Sequence, residues 1–176
     1  NDGSGNITRY SLSTGFSHAA GMSIGDIDKD GDLDITVFVS NSPDTRLVTF
    51  KNDGNAGFTL FQALPEVTHL SSNRSADFNG DGDIDIPSYK VIFNNDGTGT
   101  YSTSFLAGYD NDYFPGDYDA DGDLDIVYSS GSGNDVKTFI NNGAGSFAET
   151  YSSDAGSFTV NLAWSDFDND GDIDIA

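Results

Sequence analysis

The 176-residue chain contains no cysteine. Disulfides and thiolate metal sites are therefore excluded, and any staple must come from packing or from a hard cation. Basic residues are scarce, with seven Lys and Arg against 29 Asp and Glu. So few cations cannot assemble a basic face, which argues against nucleic-acid binding. Proline occurs four times and methionine once. No run of 18 residues is apolar, so no helical membrane span is expected. No signal peptide precedes Asn1, and the chain is read as processed or as a fragment. Sustained 3.6-residue periodicity is also missing, so no helix is predicted.

What the chain does have is enough apolar material to fold. Hydrophobic residues make up 36% and aromatics 12%, so strong acidity does not imply disorder. The length suits one domain. The net charge of −22 is concentrated in four nonapeptides, 26–34, 77–85, 117–125 and 166–174. They hold 19 of the 29 acids and one of the seven bases, a net charge of −18. Four concentrated anionic spots on a nearly ordinary domain are the pattern of local cation sites rather than of a solubilising tail.

The nonapeptides and the residue after each read DIDKDGDLDI, DFNGDGDIDI, DYDADGDLDI and DFDNDGDIDI. Between them falls a second motif: NDGSGNI from Asn1, NDGNAGF from Asn52, NDGTGTY from Asn95 and NNGAGSF from Asn141. Two markers alternating at 40–51 residue spacing define an internal repeat. Residues 1–176 are thus one repeat domain. It comprises a half repeat 1–17, repeats at about 18–68, 69–108 and 109–158, and a half repeat 159–176. The intervening segments alternate apolar and polar residues, as in ITVFVS, RLVTFKN, FTLFQAL, KVIFNN, IVYSS, DVKTFINN and FTVNLAW, and predict strands. The Asn-Asp-Gly and Asn-Asn-Gly elements predict turns between them. About four strands per repeat predict an all-β, β-propeller-type array of about four blades of four-stranded antiparallel sheet. The end half-blades would complete one shared blade, pair with a neighbouring chain, or continue into further sequence.

The nonapeptide pattern is D-x-[DN]-x-D-G-D-x-D. A hard cation such as Ca²⁺ takes six to eight oxygens at ~2.3–2.6 Å, and a chain wrapping it presents side chains from alternate positions. In the first copy the candidate side-chain ligands are Asp26, Asp28, Asp30 and Asp34, with Asp32 lending its backbone carbonyl and Gly31 making the turn. The same roles fall to Asp77, Asn79, Asp81, Asp83 and Asp85 in the second copy. In the third they fall to Asp117, Asp119, Asp121, Asp123 and Asp125, and in the fourth to Asp166, Asp168, Asp170, Asp172 and Asp174. Positions two, eight and ten are apolar throughout and are expected to face a core. Position four (Lys29, Gly80, Ala120, Asn169) varies freely, as an exposed loop tip would. An EF-hand shares the first half of the pattern but needs a bidentate Glu at position twelve. Val37, Ser88 and Tyr128 stand there instead.

These loops resemble the calcium loop of FG-GAP/VCBS-type repeats, and NNGAGSF resembles a turn of the bacterial branch of that family. The resemblance runs through all four copies. It implies a β-propeller of the kind found in integrin α-subunits and secreted bacterial proteins, with one Ca²⁺ per loop, about four in all. Family propellers have six to eight blades, which this chain does not supply. Asn79 and Pro87 imply a weaker site and a shortened or edge strand in the second repeat.

No nucleophile–base constellation or phosphate-cradling loop is present, so no catalysis is expected. His18 and His69, each eight residues before an aspartate loop, are read as strand-surface or rim residues, and Trp164 as core. Tyr10, Tyr109, Tyr113, Tyr128 and Tyr151 are either a carbohydrate-facing set or ordinary strand filler. Asn6 and Asn73 fall in N-glycosylation tripeptides that also arise by chance. The composition and the resemblance together imply a calcium-stabilised, non-catalytic, extracellular or cell-surface module, bacterial in character. It would serve adhesion or bind a glycan or protein ligand. The alternatives are a subunit of a head-to-tail filament, self-associating through its incomplete end repeats, and an accessory propeller of a carbohydrate-active enzyme.

Overall fold

A computed structural model of the chain describes residues 12, 15–41, 44–64, 74–88, 91–105, 113–129, 135–154, 163–171 and 173–175. These residues are all-β, with no helix among them. Strands β1 (His18–Gly25), β2 (Asp34–Asn41), β3 (Asp44–Asn52) and β4 (Phe58–Leu64) form an antiparallel meander. A three-stranded sheet follows, of β5 (Ile86–Ser88), β6 (Val91–Asn95) and β7 (Tyr101–Phe105). Strands β8 (Tyr113–Gly116), β9 (Asp125–Ser129), β10 (Asp135–Asn141) and β11 (Phe147–Asp154) repeat the four-stranded meander. Finally β12 (Trp164–Ser165) pairs with β13 (Asp174–Ile175).

Each marker has a fixed place in this pattern. The aspartate loops join the first strand of a sheet to the second, and the Asn-Gly turns join the third to the fourth. In the second sheet the first strand is reduced to a bridge between Ala76 and Asp85, with hydrogen bonds of 3.1 and 2.8 Å. Its neighbour β5 is three residues long and carries Pro87, whose nitrogen has no proton to give a ladder. This is the shortened strand expected there.

Packing between sheets follows the alternation of side chains along each strand. In the first sheet Val37, Val39, Val48 and Phe50 form one buried cluster, joined by Phe16, Ile35, Phe58 and Ala63. Phe38 and Leu47, which pair across β2 and β3, point the other way and meet Ile86 and Phe93 of the second sheet. The next junction brings Phe78 and Ile92 against Tyr113, Ile126, Tyr128 and Phe139 of the third sheet. Burying four such side chains is worth roughly 6–12 kcal/mol before conformational entropy is counted. Face-to-face burial thus outweighs strand propensity, a scale of only ~1 kcal/mol, in holding successive repeats together.

A polar contact accompanies each junction. The Asn95 side chain donates to the Ile27 carbonyl at 2.8 Å, and the Asn141 side chain to the Phe78 carbonyl at 2.7 Å. The first residue of these two turns therefore grips position two of the preceding repeat's aspartate loop. Lys29 also reaches Asp83 across the first junction at 2.7 Å.

These contacts sort the apolar loop positions. Ile27 and Phe78 are buried under the following turn, whereas Phe167 is 56% exposed. The expectation that position eight faces a core is corrected at Leu33, which is 59% exposed, and at Ile173, also exposed. The residue lies one short of β2, and the alternation turns it outward while Asp34 turns in. Tyr113 and Tyr128 are core residues, Tyr151 is exposed, and Tyr10 and Tyr109 lie outside the described residues.

Replacing Asn141 with Ala removes donors to Phe78 and Leu124 and an acceptor for the Gly145 amide. The loss should be about 2–3 kcal/mol, because buried carbonyls are left unpaired. A denaturant melt that moves by less than 0.5 kcal/mol would show that the turn does not hold the junction (about the spread of ordinary surface substitutions).

Candidate metal centre

The aspartate loops are built from the backbone outward. Asp26 at position one accepts the amides of Asp30 and Gly31 at 3.1 and 3.0 Å. Asp117 does the same for Asp121 and Gly122, and Asp166 for Asp170 and Gly171. Asp77 accepts from Gly80 and Gly82. Position three caps the amide of position five in the last three copies, through Asn79, Asp119 and Asp168. Position five caps position seven, through Asp30, Asp81 and Asp121. The loop is thus a run of Asx turns that draws the carboxylates toward its own centre.

Position nine closes the loop and ties it to the sheet. Asp34 accepts the Ile27 amide at 3.0 Å and the Asn52 amide at 2.8 Å. Asp85 bridges Phe78 and Asn95 in the same way, and Asp125 bridges Tyr118 and Asn141. All three carboxylates are fully buried. Asp174 accepts the Phe167 amide at 2.9 Å.

Three groups of carboxylates result whose ligand atoms lie within 4.8 Å of one another: Asp26, Asp28 and Asp34; Asp117, Asp119 and Asp125; Asp166, Asp168 and Asp174. Each group can hold a metal ion. At an effective dielectric near 20, two unit charges at that distance repel by roughly 3 kcal/mol. Three mutually close carboxylates therefore call for a cation or for protons. One oxygen already waits for a partner, since Asp28 Oδ1 is buried without a hydrogen bond. An all-carboxylate oxygen set suits a hard divalent ion.

The remaining candidates are placed differently. Asp30, Asp121 and Asp170 at position five stand outside these groups. At position seven Asp32, Asp83 and Asp123 lie against the turn glycines Gly54, Gly97 and Gly143, where a Cβ would collide with their carboxylates. The second copy, with Asn79 between Asp77, Asp81 and Asp85, forms no three-carboxylate group among the described residues. Asp172, His69, Asn6 and Asn73 lie outside the described residues. His18 is exposed at the start of β1, with Nδ1 3.0 Å from the Ser17 hydroxyl.

Two features of the site escaped the sequence reading. Position four is exposed, as expected, but its backbone is constrained: Lys29, Ala120 and Asn169 have φ of 59°, 60° and 62°, and Gly80 has 74°. This left-handed conformation costs an L-residue about 1–2 kcal/mol. The second feature is the Asn that opens each turn, read as turn chemistry alone. Its presence in all four turn copies, where Asp would turn the chain as well, was the available signal.

Residues 117–176, holding the third and fourth aspartate loops, match the family model of the FG-GAP-like repeat. The match agrees with the resemblance seen in all four loops. No curated protein and no solved structure matches the chain.

Burial pushes the Asp85 carboxyl up to about 6, and it raises Asp125 as well, against the backbone amides that favour their ionised forms. A carboxyl raised in the folded state binds protons more readily than in the unfolded chain. Its contribution to stability therefore grows as pH falls from about 7 toward 4. Metal-free protein should melt roughly 3 °C or more higher at pH 5 than at pH 7.5. A lower melting temperature at pH 5 in the presence of a chelator would contradict this. Separately, Ala120→Gly should stabilise the protein by about 1 kcal/mol in chemical denaturation, because glycine relieves the left-handed strain. A loss of stability would refute that assignment.

Proposed function

We propose that this chain is a calcium-stabilised, non-catalytic β-propeller module that works outside the cell and presents its loops to a protein or glycan ligand. The observation that carries the reading is the recurrence of one three-carboxylate group at the same loop of the first, third and fourth sheets. Ca²⁺ would be held by Asp26, Asp28 and Asp34 in the first loop, with equivalent sets in the third and fourth. Carbonyls at position seven would complete the shell. The ion supplies charge neutralisation, and the chain does the rest. The position-nine aspartate carries the ordering of the loop into the third strand through Asn52 or Asn141. Sheets that share the same strand order and bury apolar faces between them are what blades of a propeller require. Millimolar calcium outside cells suits extracellular modules with dissociation constants of about 10⁻⁴–10⁻³ M.

A second reading is favoured by the exposed Phe167, Ile173 and Ile175 around β12 and β13. A further blade, from the same polypeptide or from another chain, would cover them.

At calcium tenfold above the dissociation constant each site adds about 1.4 kcal/mol. Three sites should raise the melting temperature by about 10 °C over chelator-treated protein. Identical transitions with and without calcium in scanning calorimetry would sink the proposal. Glycan-array or pull-down binding that needs calcium would identify the ligand class.

A further inference from the structure

The first loop differs from the third in having a cation against its carboxylate group. Lys51, the penultimate residue of β3, places its ammonium 2.9 Å from Asp28 Oδ2. The same nitrogen donates to the Thr98 carbonyl at 2.9 Å and lies 3.6 Å from the centre of the Phe61 ring. Thr98 belongs to the Asn-Gly turn of the next repeat, and a Cβ on its neighbour Gly99 would crowd both Lys51 and Phe61. The lysine is mostly enclosed, with 22% of its side chain exposed, and Asp28 has 15%. In the later repeats Asn94 and Ile140 precede the corresponding turn asparagines. No basic side chain among the described residues pairs with Asp117, Asp119 or Asp125.

Building on the calcium reading, we propose that Lys51 is a resident counter-ion of the first loop that competes with the divalent ion there. Its single charge neutralises part of the Asp26, Asp28 and Asp34 group and holds the loop against the next repeat without metal. A divalent ion entering the group must lie close to the ammonium, and the two repel across a partly desolvated gap. The first loop is therefore a weaker metal site than the third and less dependent on metal for its shape. Lys51 is a positioning and selectivity residue, and not a ligand.

The amides of Gly31 and Gly122 donate to Asp26 and Asp117, so each reports its own loop in a two-dimensional ¹H–¹⁵N spectrum. Calcium chloride titrated into the intact chain should move Gly122 at lower concentration than Gly31. In Lys51→Gln the Gly31 midpoint should fall about tenfold or more while Gly122 stays, and Lys51→Arg should keep the wild-type order. In chelator, Lys51→Gln should melt below wild type, and calcium should narrow that gap. Coincident Gly31 and Gly122 midpoints in the wild type overturn the proposal without needing a variant. So does an unmoved Gly31 midpoint in Lys51→Gln, or a melting gap that calcium leaves unchanged. If neither glycine responds in the wild type, the calcium reading falls together with this one.

Discussion

One carboxylate per repeat holds three parts of the structure in register. Asp34, Asp85 and Asp125 each accept an amide from the start of their own loop and another from the end of the third strand. The strand residue that donates is the turn asparagine. In the second and third repeats its side chain also grips the loop of the repeat before. Loop, hairpin and inter-repeat junction are therefore one connected set of hydrogen bonds. Buried as they are, these carboxylates cannot exchange a lost partner for water, so the connection is strongly directional.

That connection gives the acidic loops a structural role. Crowding carboxylates within 4.8 Å is unfavourable, and the backbone amides offset only part of the repulsion. Charge in the loop is coupled to the packing of the sheets through position nine. Whatever neutralises the loop stabilises the hairpin behind it. In the first repeat an ammonium does part of this from within the chain, whereas no basic side chain among the described residues pairs with Asp117, Asp119 or Asp125 of the third.

Much of this was readable from the residues. Period-two alternation gave away β2, β3, β4, β6, β9 and β10, because half-buried strands need it. It missed β1, β5, β7, β8, β11 and β13, and of the predicted strand FTVNLAW only Ala163 and Trp164 fall among the described residues, the latter in β12. β1 carries Gly21 and small Ala residues, and β5 is three residues long. β7, YSTSF, and β11, FAETYSSD, lie at the outer edge of their sheets, where polar residues are tolerated and the pattern fades. The convergence of positions one, three and nine was legible because alternate spacing dictates which side chains can meet. Position five caps the amide of position seven through Asp30, Asp81 and Asp121, and an Asx cap and a ligand look alike in sequence.

The sequence by itself determined the repeat, its strand-rich character and the sites where anionic charge gathers. All of these follow from spacing and side-chain chemistry within about ten residues. Tertiary structure alone decided which apolar positions are buried, since Phe78 and Phe167 hold the same loop position, yet Phe78 is buried and Phe167 exposed. It also decided that Lys51 meets Asp28 and that Asn141 meets Phe78. Those partners lie 23 and 63 residues apart in the chain. No local pattern brings them together; the stacking of one sheet's buried face on the next does.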